Sequence, residues 1–162
     1  MVVNLNASEI FEIAVQIERN GAKFYRRAAE LFDDSRVHNL FLQLADWEVA
    51  HEQVFADMRN ELIAQGPEIG TFETDSDVIF DARSMAGLAV FGNSIGPSAE
   101  LTAKESVTDV LRIAIEKEKD SIIFYTGLKD FVSVKTAKDK IADIIKEEMR
   151  HINILKQSLE MW

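Results

Sequence analysis

Apolar residues recur every three or four positions along four long stretches of the chain. The first stretch runs Ile10, Ala14, Ile17, Gly21, Phe24, Ala28, Leu31. The second runs Val37, Leu40, Phe41, Leu44, Glu48, His51, Phe55, Met58, Leu62. The third is Val107, Leu111, Ala114, Glu118, Ile122, Tyr125, and the fourth is Ile141, Ile144, Glu148, Ile152, Leu155, Leu159. A stripe of period 3.6 belongs to an amphipathic helix with one buried face. Capping residues stand near each expected start: Asn6 with Glu9, the Asp33–Ser35 turn, Thr102 with Glu105, and Ser133. Gly66-Pro67 closes the second helix. The pattern predicts helices over 7–32, 35–65, 103–130 and 134–160. Each is about 25–30 residues, which makes it roughly 40 Å long.

Helix breakers are concentrated in the middle of the chain. Five of the seven glycines and both prolines lie between Gly66 and Leu101. The reading is therefore one all-α domain over 1–162: a helical hairpin 7–65, a crossover 66–101 and a second hairpin 102–162. A connection of that length should carry structure of its own, and Asp77 to Phe91 predicts a short helix within it. The crossover is acidic and reads as a solvated loop. The whole chain has a formal net charge of -10, which argues against a nucleic acid held by its phosphates and against a membrane-binding basic face. No apolar run is long enough to span a bilayer. The chain has no cysteine, so thiolate catalysis and cysteine-held metal clusters are excluded. Any metal must sit on oxygen and nitrogen.

The sequence repeats itself at an offset of 100. Ile13-Ala14 recurs as Ile113-Ala114, Glu18 as Glu118, Phe24-Tyr25 as Phe124-Tyr125, Glu48 as Glu148, and His51 as His151. Each half reads Glu, five residues, Phe-Tyr, and later Glu-x-x-His. Two of the three histidines are in this motif. Folding the first half about Asp33 places Glu18 and Glu48 at one height, since each is 15 residues from the turn. Folding the second half about Ser133 does the same for Glu118 and Glu148. Positions i and i+3 share a helix face, so four carboxylates and two imidazoles converge on the middle of a bundle.

Four unpaired carboxylates in a low-dielectric core would each cost several kcal/mol. Two divalent cations would make the set neutral. Helix-bundle di-iron and di-manganese sites are built from this constellation, a Glu from each of two helices and a Glu-x-x-His from the other two. The candidate ligands are Glu18, Glu48, His51, Glu118, Glu148 and His151. Glu48 and Glu148 would bridge two metals, Glu18 with His51 would complete one, and Glu118 with His151 the other. Carboxylate and imidazole suit iron(II) and manganese, and accept zinc. Tyr25 and Tyr125 lie seven residues after Glu18 and Glu118. They either pack in the core or donate hydrogen bonds to ligand carboxylates. Phe24 and Phe124 read as core. His38, Glu116 and the remaining glutamates Glu12, Glu30, Glu52, Glu61, Glu105 and Glu147 read as ordinary surface groups.

These motifs resemble the rubrerythrin group of the ferritin-like superfamily. The resemblance covers both hairpins and implies a ferritin-like four-helix bundle with a long crossover between helices two and three. It also implies a two-iron cofactor and an oxidoreductase that reduces hydrogen peroxide or dioxygen. Relatives in the superfamily oxidise or store iron(II), so a ferroxidase or iron-handling role is the alternative. A helical module merely held together by its metals is a third reading. Rubrerythrins usually carry a rubredoxin domain, whose iron sits on four cysteines. Here electrons would have to come from a separate donor protein or from iron(II) itself. The group's extra carboxylate, one turn after the third-helix ligand, is replaced by Ser121, matched in the first half by Gly21. A homodimer, even one that exchanges helices, is compatible with the numbering. The first residues lack the basic region of a signal peptide, and the expected location is the cytoplasm.

Overall fold

The computed structural model describes residues 7–66 and 101–162. These fold into four helices: α1 (Ala7–Glu30), α2 (Ser35–Ala64), α3 (Val107–Phe131) and α4 (Lys135–Leu159). No strand occurs among the described residues. The expected crossover helix at 77–91 lies outside them.

Local chemistry sets the helix ends. Asp34 caps α2, accepting hydrogen bonds from the backbone N–H groups of Arg36 and Val37. At the far end Gly66 adopts φ 93°, a left-handed conformation that glycine takes without a Cβ penalty. The helix stops where Gly66-Pro67 predicts. Two starts differ from expectation. Thr102 and Glu105 do bond to each other, but as a turn ahead of the helix. Ser106 and Asp109 form the reciprocal capping box, and α3 begins at Val107 rather than at 103. Helix α4 starts after Val134 with no side-chain cap, so Ser133 plays no such part.

Four residues turn α1 into α2, and three turn α3 into α4. Partners descend on α1 as they ascend on α2: His38 Nδ1 meets the Ala29 carbonyl, Glu52 meets Arg19, and Arg59 meets Glu12. That order is the register of an antiparallel pair. Lys140 on α4 reaches Glu61 on α2 at 3.3 Å. These exposed ion pairs contribute little, about 0–1 kcal/mol each. The main stabilisation comes from the buried stripes.

Ile10, Phe11, Ala14, Ile17 and Phe24 of α1 pack with Phe41, Leu44 and Phe55 of α2, and with Val110, Leu111, Ala114, Phe124, Ile141 and Leu155 of the second hairpin. Aromatic rings occupy the centre. Tyr25 stacks on Phe41 with centroids 6.1 Å apart, and Tyr125 lies 4.8 Å from Phe55. Phe24 and Phe124 are core residues, as read from the sequence. Each fully buried side chain of this size contributes about 1.5–3 kcal/mol. This apolar frame surrounds a polar centre.

Candidate metal centre

All six predicted donors are buried. Glu18, Glu118 and Glu148 expose 0% of their surface, and Glu48, His51 and His151 expose 2%. One donor or pair comes from each helix, at the mid-helix positions that the antiparallel register brings level. They form two groups. Glu18, Glu48, His51 and Glu148 make the first, and Glu48, Glu118, Glu148 and His151 make the second. Within each group, one oxygen or ring nitrogen per residue lies within 4.8 Å of all the others. Glu48 and Glu148 are shared.

Glu148 occupies the middle. Its Oε1 lies 3.0 Å from His51 Nδ1, and its Oε2 lies 3.0 Å from His151 Nδ1. Glu18 Oε2 is 3.6 Å from His51 Nδ1, and Glu48 Oε1 is 3.3 Å from His151 Nδ1. The two imidazoles lie nearly parallel, with centroids 5.5 Å apart and planes 16° apart. Yet Glu18 Oε2, Glu48 Oε1, Glu118 Oε2, both Glu148 oxygens and both Nδ1 atoms make no hydrogen bond. They are close but not aimed at one another, as ligand atoms gathered around shared points would be. A buried polar atom without a partner costs about 1–3 kcal/mol, more when charged. A set of such atoms, all oxygen and nitrogen, fits divalent cations.

The electrostatics follow from crowding. Burial, followed by the neighbouring charge of Glu148, pushes Glu118 up to about 8. Burial and the charges of Glu148, Glu118 and Glu18 raise Glu48 well above the carboxylate range. Burial also acts to raise Glu148, but the imidazoles of His151 and His51 outweigh it and hold that carboxyl low. Burial alone would lower both histidines. The surrounding carboxylates reverse this, raising His51 strongly and His151 to about 12. Protons and dications would compete for the same atoms.

Tyr25 and Tyr125 take the hydrogen-bonding option left open by the sequence. Tyr25 of α1 donates to Glu118 of α3, and Tyr125 of α3 donates to Glu18 of α1. Burial, then the nearby carboxylates, lifts both phenols well above their ordinary value, so they remain donors.

Three features were not read from the sequence. Glu147, a surface charge by its sequence pattern, places Oε2 2.7 Å from His51 Nε2. Trp47, its counterpart in the repeat, stacks on His151 with centroids 5.0 Å apart. The repeat flags the position but not the contact, because each side chain crosses to the other hairpin. Gly21 is the third: a Cβ there would lie 2.8 Å from Glu48 Oε2. By contrast Glu12, Glu30, Glu52, Glu61 and Glu116 form outer ion pairs with arginine or lysine and lie outside both donor groups. Glu105 is held in the turn before α3.

The chain resembles a Thermotoga maritima protein whose crystal structure is provisionally described as ferritin-like and diiron-carboxylate. The TM-score is 0.70 at 26% sequence identity, over 99% of this chain and 98% of that one. The fold is ferritin-like. No protein-family model matches the chain, and no curated protein matches it. Within this ferritin-like bundle the carboxylate–histidine cluster occupies the core between the two hairpins, with each hairpin supplying half of the donors. No described helix is long and apolar enough to cross a membrane.

Proposed function

We propose that the chain is a non-haem di-iron carboxylate protein that reduces hydrogen peroxide or dioxygen with electrons from an external donor. The observation that carries the reading is Glu148, whose two oxygens each lie 3.0 Å from a different histidine Nδ1. One carboxylate thus serves both halves of the centre. Glu48, the other shared residue, is its counterpart as a second bridge. Glu18 with His51 would complete one position, and Glu118 with His151 the other. Two dications against four carboxylates leave the buried site neutral. Iron is the first choice, and manganese or zinc would satisfy the same donors.

Bound iron would supply one-electron redox chemistry at two adjacent centres. The residues of the chain prepare the site. Tyr25 holds Oε1 of Glu118, leaving Oε2 without a hydrogen bond, and Tyr125 does the same for Glu18. Each terminal carboxylate is therefore oriented by one oxygen and free to ligate through the other. The packed ring pairs Tyr25–Phe41 and Tyr125–Phe55 exclude water from that side. These 162 residues hold no cysteine and so no one-iron thiolate relay; a separate donor protein or iron(II) would supply the electrons. The acidic surface suits neither nucleic acid nor anionic membrane, and we place the protein in the cytoplasm.

The test is anaerobic loading with iron(II), followed by peroxide or oxygen under optical observation. Fast oxidation of two irons per chain, reversed by an added electron donor, supports the proposal. Continued uptake of iron beyond two per chain would make iron(II) the substrate and the protein a ferroxidase. Bound iron that neither oxidant changes would leave the metals a purely structural role.

A further inference from the structure

The six donors repeat in pairs, but their surroundings do not. The residue before each Glu-x-x-His is Trp47 in the first half and Glu147 in the second. Each crosses the bundle to the opposite histidine. The Glu147 carboxylate accepts a hydrogen bond of 2.7 Å from His51 Nε2, while the indole of Trp47 lies flat on His151, with planes 10° apart. The Glu147 side chain is 47% exposed, so it joins the buried ring to the surface. The near-identical depth of His51 and His151 means that burial does not distinguish them. The group behind each ring does.

A carboxylate on the outer nitrogen of an imidazole has two consequences. It fixes the proton on Nε2, turning the Nδ1 lone pair toward the donor cluster, and it makes that lone pair more basic. An indole face does neither. It fixes the plane of the ring by stacking and adds no charge.

We infer that the two metal positions are inequivalent, and that Glu147 is a positioning residue that makes the His51 position the tighter of the two. This rests on the metal-binding reading above. The His51 position (Glu18, Glu48, His51, Glu148) then fills before the His151 position (Glu48, Glu118, Glu148, His151).

Cobalt(II), read by its visible absorption under anaerobic conditions, tests the inference without reference to activity. The wild-type protein should bind two equivalents in two resolved steps. Glu147→Gln keeps the shape of the side chain and removes its charge. It should weaken the tighter step by about 10–100-fold and leave the weaker step in place. His151→Ala and His51→Ala each retain one histidine position. Glu147→Gln should weaken cobalt binding in the His151→Ala background and leave it unchanged in the His51→Ala background. If Glu147 were only a surface group helping the bundle to fold, the substitution would shift the unfolding temperature of the metal-free protein and change both steps alike. Equal effects on both steps, or no effect on either, overturn the inference while two cobalt ions still bind. A wild-type protein that binds no cobalt overturns the metal-binding reading itself. Should the single-histidine variants fail to fold, the stepwise constants of wild type and Glu147→Gln decide alone.

Discussion

Tyr25 on the first hairpin donates its phenolic proton to Glu118 on the second, and the repeat returns the bond from Tyr125 to Glu18. The two hairpins are thus stapled at their centre by a reciprocal pair of buried hydrogen bonds. Removing one hydroxyl leaves a buried carboxylate oxygen without its donor. Tyr25→Phe and Tyr125→Phe should each destabilise the metal-free protein by about 1–3 kcal/mol, with similar effects because the bonds are repeat-related. Chemical denaturation followed by circular dichroism measures this. Unfolding midpoints equal to wild type would mean that the bonds contribute nothing net.

Gly21 presents a case in which stability and metal affinity should move apart. In the interior of α1, alanine is favoured over glycine by about 0.5–1 kcal/mol. The added Cβ would lie 2.8 Å from Glu48 Oε2 and 3.3 Å from its Cδ. That neighbour is the end of a flexible side chain, which can swing aside. Gly21→Ala should therefore keep or raise the unfolding temperature of the metal-free protein, yet bind cobalt(II) more weakly because Glu48 is displaced. Unchanged affinity would show that Glu48 does not need its present place.

The helices were legible because their stripes obey one period. The clustering of these carboxylates and histidines was legible because two hairpins of equal arm length bring Glu18 level with Glu48 and Glu118 level with Glu148. Helix starts proved less legible: Thr102–Glu105 and Ser106–Asp109 both satisfy the capping-box pattern, and sequence alone does not rank them. The contacts of Glu147 and Trp47 are hidden from the sequence for a different reason. Whether a side chain beside an apolar stripe faces water or a neighbouring helix depends on how the hairpins cross, and no local pattern records that. Gly21 likewise reads as a small core residue until the position of Glu48 is known.

The metal-free protein should lose stability as pH rises. Glu118 is raised from 4.5 to about 8 and His151 from 6.5 to about 12, with Glu48 and His51 shifted in the same direction. Each of these groups holds a proton in the native state that the unfolded chain releases at lower pH. Their contribution is complete below the unfolded values and is lost as pH rises toward the folded ones. Glu148 has the opposite sign, and its contribution is lost on acidification below its unfolded value of 4.5. The unfolding temperature of the metal-free protein should therefore be lower at pH 9 than at pH 6.5. Loading with cobalt(II) should flatten or reverse the trend and release protons into a weakly buffered solution. A metal-free melting curve independent of pH over this range would show that these protons are not held.

Shared and unshared donors should differ in how many metals their loss removes. Glu148 faces both histidines at 3.0 Å, whereas Glu18 belongs to one donor group. Glu148→Ala should lower iron occupancy at both positions, and Glu18→Ala at one, leaving about one iron per chain by elemental analysis. Neither change should lower helicity, because the apolar stripes of all four helices are untouched. A Glu148→Ala protein that holds two irons as tightly as wild type would remove Glu148 from the bridge. A Glu18→Ala protein that loses both would mean that the two positions fill only together.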